Sequence, residues 1–361
     1  MKLHAVIIAS LALLTSSAQA QSWTIDAATF QGDPGTYTEL GVGAPAVVWT
    51  PGSGEYTMFF ETQVGLADAA CPTGYWAVGA ATSPDGLNWT QWDAPLLEPE
   101  PGTYFSCGGR QPTALRTAGG ISMWFVGYQT ADACAIDTPS WGCTRNTGIG
   151  QAMLSPMEFD DGAGGTIVEH ILITGTEPAF AGSGYAEPSV IVVGNELHLF
   201  AGYLGSIHHA TSTDMMTWTW DANPVVSPGS DSWNQHQIYS PTVNCRSLIN
   251  VGSGTSSGVG VTPTASTTYE MFYGGKTYVP GSVDGGWQHI DASNTTAQWR
   301  FPAAPVMQFT GDGNWKSFDV LRSGSAHLMW FEEDGMAGPE IKFASDSSSF
   351  DPWATRNRIC R

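Results

Sequence analysis

The chain should fold as an all-β, five-bladed propeller whose last blade is completed by the N-terminal strand. One reason is a strand pattern written five times: YTMFF at Tyr56–Phe60, SMWFVGY at Ser122–Tyr128, LHLFAGY at Leu197–Tyr203, YEMFYGG at Tyr269–Gly275 and HLMWFEE at His327–Glu333. Strand-only copies roughly 55 to 75 residues apart describe stacked blades rather than one sandwich core. A second phrase follows most copies, ATSPDGLNW at Ala81–Trp89 and ATSTDMMTW at Ala210–Trp218, with serine and tryptophan six apart. The third reason lies at the start of the chain, where SWT and PGTYTELGVGAP (Ser22–Thr24, Pro34–Pro45) align with NWT and PGTYFSCGGRQP (Asn88–Thr90, Pro101–Pro112). The chain therefore begins in an outermost strand, and the fifth copy ends near Trp353 where that strand is missing. Pairing the two would remove an exposed sheet edge.

Each element has its own cause. Met1–Ala20 joins a basic start at Lys2 to an apolar run from Ala5 to Leu14 and small residues at Ala18 and Ala20. It reads as a secretory signal cleaved near Ala20, too short to span a bilayer, which leaves 21–361 as a single domain outside the cytoplasm. Within each copy the first strand follows a proline, at Pro45, Pro112, Pro188 and Pro241, with Phe318–Leu321 as a proline-free fifth. The aromatic strand is second and the Ala-Thr-Ser strand third. Asp85-Gly86 supplies turn chemistry, and the tryptophan after it opens the outer strand. Asn250–Thr268, rich in Gly, Ser and Thr, reads as a hairpin insertion in the fourth copy.

Composition narrows the partners. Thirteen Lys and Arg against 33 Asp and Glu give a net charge of −20, so nucleic acid and anionic membrane are excluded as partners. No segment after the leader is long enough for membrane insertion, and nothing speaks to oligomeric state. Six cysteines in an exported chain suggest up to three disulfides. Cys134 with Cys143 closes a short loop; Cys71 with Cys107 and Cys245 with Cys360 follow by elimination, since connectivity is not readable from sequence. Fifteen tryptophans suit packing between blades, with some left to meet sugars.

In a propeller the first strand of every blade lines the central channel, so function is sought where the copies converge. Beside the marker prolines stand Ala44, Arg110, Gln111, Glu187, Tyr239 and Ser240, with Asp319 in the fifth copy. The ends of the second strands add Glu61, Tyr128, Tyr203, Lys276, Glu332 and Glu333. Tyr185 lies two residues before Glu187, and His236 sits on the loop feeding the fourth copy.

The phrase of proline, apolar strand, Y-x-M-F-aromatic and A-T-S-x-D-G-x-x-W resembles the five-bladed propeller glycoside hydrolases: arabinanases, β-xylosidases, invertases and levansucrases. The resemblance covers nearly the whole mature chain. It implies an Asp base in the first blade, an Asp in the second and a Glu acid in the third. The matching positions read Gly43-Ala44-Pro45, Arg110-Gln111-Pro112 and Ala186-Glu187-Pro188, so only the third carboxylate is present.

Glycosidic cleavage needs two carboxyl groups, so Glu187 as proton donor requires a partner from Asp319, Glu61 or Glu332. Arg110, Gln111, Tyr128, Tyr185, Tyr203, His236, Tyr239 and Lys276 are the candidate substrate contacts. No spacing identifies a metal site or cofactor, although the resemblance admits a structural calcium ion. Two readings follow: a secreted hydrolase acting on a poly- or oligosaccharide, or a lectin-like propeller that holds sugar without cutting it. A sialidase-like reading, prompted by SPDGLNW, fails for want of an F-R-x-P box and of several arginines placed for a carboxylate substrate.

Overall fold

The computed structural model describes residues 23–117, 120–129, 148–160, 166–174, 180–181, 184–229, 234–246, 268–279, 282–292, 307–310, 317–335, 338–347, 355–356 and 359–360. The leader at 1–20, Cys134, Cys143 and the insertion at 250–267 lie outside them. Every regular element among the described residues is a strand. After β1 (Thr24–Gln31), the first copy forms β2 (Val42–Thr50), β3 (Glu55–Gly65), β4 (Tyr75–Ser83) and β5 (Thr90–Gln91). The second forms β6 (Gly108–Thr117), β7 (Gly120–Tyr128), β8 (Gly148–Asp160), β9 (Thr166–Thr174) and β10 (Phe180–Ala181). The third gives β11 (Ala186–Val193), β12 (Glu196–Tyr203), β13 (Ser206–Ser212) and β14 (Thr219–Trp220). The fourth gives β15 (Gln237–Arg246), β16 (Thr268–Val279), β17 (Ser282–Ala292) and β18 (Met307–Thr310). The last comprises β19 (Phe318–Ser323), β20 (Ala326–Gly335) and β21 (Gly338–Ser345), followed by β22 (Thr355–Arg356) and β23 (Ile359–Cys360).

Within each copy successive strands pair antiparallel, and the first two copies share one sheet only through a parallel bridge at Trp76 and Gly108. β1 pairs antiparallel with β21, Phe30 opposite Ile341, and so joins the sheet of the last copy. The C-terminal strands take other places: β22 pairs with β19 at Arg322 and Ser323, and β23 runs parallel to β11 at Val192 and Val193.

The doubled aromatics explain the packing. Side chains alternate across a strand, so adjacent residues must face opposite neighbours. Phe59 shares a buried cluster with Phe125 of the second copy, whereas Phe60 packs with Trp330 of the fifth. Trp124 packs with Leu199 of the third copy, Phe200 with Met271 and Tyr273 of the fourth, and Phe272 with Phe331 of the fifth. The first strands follow the same order, β2 against β6, β6 against β11, β11 against β15, β15 against β19 and β19 against β2. Trp49, Trp124 and Trp330 are fully buried here, as the packing reading of the tryptophans expects.

The Ala-Thr-Ser phrase forms a turn held by side chains. Ser83 and Asp85 collect the N–H groups of Gly86, Leu87 and Asn88, and Ser212 and Asp214 repeat this for Met215, Met216 and Thr217. Cys71 and Cys107 form a disulfide, and Cys245 is disulfide-bonded as well. Cys360, its expected partner, ends β23, beyond the described side chains.

Candidate active site

In four copies the residue before the marker proline has a left-handed backbone, with φ of 45° at Ala44, 52° at Gln111, 52° at Glu187 and 47° at Ser240. A residue preceding proline normally takes an extended conformation, so these positions must be held by their surroundings. Strand pairing slips at each of them, a β-bulge, whereas the proline-free β19 pairs without a shift. Each freed N–H is taken up by a side chain from the preceding copy. Ala44 donates to Glu332 Oε2 at 3.1 Å, Gln111 to Glu61 Oε2 at 3.0 Å, Glu187 to Gln111 Oε1 at 3.1 Å and Ser240 to Glu187 Oε2 at 2.7 Å. The four bulges, with Ser317–Asp319, line one pocket.

The carboxyl groups that accept the bulge N–H groups differ in how far they are committed. Glu61 is buried and accepts from Arg110 Nη2 at 2.6 Å and Arg110 Nε at 3.2 Å, besides the Gln111 N–H. Burial works against the Arg110 guanidinium's charge, but Glu61 more than restores it and the group stays protonated. Arg110 also lies 3.7 Å over the Trp76 ring and 5.6 Å from that of Tyr128. Glu187 is half-buried; burial pushes its carboxyl up to about 7, helped by the Glu61 charge and opposed by the Ser240 N–H and Arg110. Glu332 is pushed up to about 8, first by burial and then by Glu61.

Asp319, 4% exposed, serves the backbone: Oδ2 accepts the Val47 N–H at 2.7 Å and Oδ1 the Val320 N–H at 3.0 Å. The same pocket is lined by Gln111, Glu187, Ser240 and Ser317 and by the hydroxyls of Thr113, Ser189 and Thr242. Among the described residues no three His, Cys, Asp or Glu side chains are grouped to hold a metal.

Around this arc the predicted contacts fall into two sets. Tyr128 joins Arg110 at the rim. Tyr185 stacks on Tyr203 at 4.4 Å and lies tilted by 33° against Trp220 at 4.2 Å, so its ring is engaged in packing. Tyr239 is buried with its ring against Gly274, and Lys276 is buried in β16. His236 is exposed and donates its N–H to the Lys276 carbonyl. Trp76 was not foreseen. It contacts a residue of the following copy, and comparing copies position by position does not reveal contacts between them.

No protein-family model matches the sequence, and no curated protein matches it. Solved structures do. A candidate glycosidase from Bacteroides thetaiotaomicron superposes with a TM-score of 0.60 at 12% identity, covering 91% of this chain and 97% of that one. The chain shares its fold. A glycosyl hydrolase from Bacteroides ovatus superposes with a TM-score of 0.54 at 14% identity, covering 84% and 83%. A family 117 glycoside hydrolase from the marine bacterium Zobellia galactanivorans does so with 0.54 at 13%, covering 92% of each. Identities of this size speak to architecture, and the expected likeness to glycoside hydrolase folds holds at that level.

Proposed function

We propose that the chain, exported and trimmed near Ala20, is a single-domain, ring-closed five-bladed propeller that hydrolyses glycosidic bonds in a poly- or oligosaccharide, with Glu187 as proton donor. The pairing of β1 with β21 and the closed succession of first-strand contacts support the ring. The observation that carries the chemistry is the state of Glu187. Its Oε2 is fixed by the Ser240 N–H, and burial pushes its carboxyl up to about 7. A general acid must hold its proton at working pH and release it to a leaving oxygen, and these are the properties required. The glycoside hydrolases of the same fold support the substrate class.

A lectin-like reading is favoured by one fact: Asp319 and Glu61 are both engaged in holding the fold. One experiment separates the two. Glu187→Gln should abolish release of reducing sugar from a polysaccharide panel while glycan binding, measured by calorimetry, stays within about threefold of wild type. Wild-type protein that binds glycans and releases nothing would establish the lectin.

A further inference from the structure

We infer that Glu332 is the second catalytic carboxyl of this site, taking a proton from the attacking water while Glu187 gives one to the leaving oxygen. The inference rests on the hydrolytic reading above. Hydrolysis with one carboxyl is incomplete, because the leaving oxygen must gain a proton as water loses one.

Three carboxyl groups compete for the role, and their hydrogen bonds separate them. Asp319 has both oxygens on backbone amides, one of them its own neighbour's. Glu61 has both oxygens on the Arg110 fork, and one of them also takes the Gln111 N–H. Glu332 repeats the arrangement of Glu187. Its Oε2 accepts a bulge N–H, from Ala44, and Oε1 has no partner among the described residues.

Residue 43 gives a second, independent indication. A Cβ built on Gly43 would lie 2.6 Å from Glu332 Oε2 and 2.9 Å from its Cδ, closer than any real contact. The carboxyl of β20 thus occupies the space a side chain of β2 would fill, one residue from Ala44 of the pocket wall. The inner strand supplies no acid of its own there, and its neighbour places one in that spot.

The anchors also fit the role. Glu187 is fixed to β15 at Ser240 and Glu332 to β2 at Ala44. Ser240 and Ala44 both line the pocket, so each carboxyl is tied to its wall. In the reaction the Glu187 proton goes to the glycosidic oxygen as its bond to the anomeric carbon breaks. The water oxygen bonds to that carbon and its proton goes to Glu332. Exchange with solvent restores both groups.

The test compares wild type, Glu187→Gln and Glu332→Gln on 4-nitrophenyl and 2,4-dinitrophenyl glycosides of a panel of sugars, with the first product anomer read by proton NMR. Glu332→Gln retains an acceptor for the Ala44 N–H, and its melting temperature reports folding. It should lose roughly 10²- to 10⁴-fold in kcat on both leaving groups without losing stability. Glu187→Gln should recover on the dinitrophenyl glycoside, whose leaving group needs no proton, and the product should be inverted. An active wild type with Glu332→Gln within threefold of it would overturn this inference and leave Glu187 standing. A retained anomer would overturn the water-activating role. A wild type inert on the whole panel would overturn the hydrolytic reading, and this inference with it.

Discussion

Glu187 and Glu332 are held against their ordinary chemistry. Both ionise near 4.5 when unfolded, and burial moves them to about 7 and about 8. A carboxyl with a raised folded pKa stabilises the fold fully below its unfolded value, and that contribution is lost as pH rises through the folded one. Glu332→Gln should therefore melt higher than wild type at pH 8 and show little difference at pH 4, checked by calorimetry at the two pH values. The same displacement shapes the rate. The form able to react carries its one proton on Glu187, which is the minor arrangement because burial raises Glu332 further, and kcat/KM should be bell-shaped with its maximum well above the range of an ordinary carboxyl. An acidic optimum near 4.5 would contradict it. At this scale the sequence was informative where copies could be compared: Glu187 stands beside a marker proline, and Glu61 and Glu332 share one position at the ends of second strands. The filling of the Gly43 space by Glu332 was not legible, because it depends on contact across two copies 288 residues apart.

The bulged prolines are the elements that build the site. Left-handed backbone before proline costs on the order of 1–3 kcal/mol at each position, and the fold keeps four such positions by giving every freed N–H a side-chain acceptor. Marker prolines were readable in the sequence, but the strain they impose was not, since it arises from acceptors in neighbouring copies. The hairpin between β12 and β13 offers a cleaner case. Leu204 and Gly205 form a two-residue loop with φ of 48° and 77°, the primed turn that favours Asn-Gly, and Leu204 is 59% exposed. Leu204→Asn should raise stability by about 0.5–1 kcal/mol without changing glycan binding, measured by urea denaturation. A loss of stability would mean that Leu204 has a packing partner.

Across the whole molecule, order comes from apolar contacts and charge networks that cross between copies. The doubled aromatics were legible because period-two alternation requires adjacent residues to face opposite neighbours. The burial of His327 was not. Burial disfavours its charged form, but Asp346 at 2.6 Å and Glu270 at 3.2 Å more than offset this and raise it to about 9. This contribution is complete below about 6.5 and fades as pH rises through about 9, so the melting temperature should fall between pH 7 and 9.5, and His327→Gln should flatten that slope. His198 acts at the other end: burial and His209 lower it to about 4, so its contribution is present above 6.5 and lost on acidification. Removing residues 21–31 takes away β1 and leaves the β21 edge unpaired, and the truncated chain should melt lower and aggregate, as read by light scattering.

The central claim is that this architecture brings Glu187 and Glu332 to one mouth where a glycan is cut. The most direct measurement is a crystal structure of Glu187→Gln soaked with an oligosaccharide that the wild type hydrolyses. The prediction is a glycosidic oxygen within about 3.2 Å of residue 187, with a water between the anomeric carbon and Glu332. A sugar bound only on the outer faces of the sheets, with the bulged mouth empty, would contradict it.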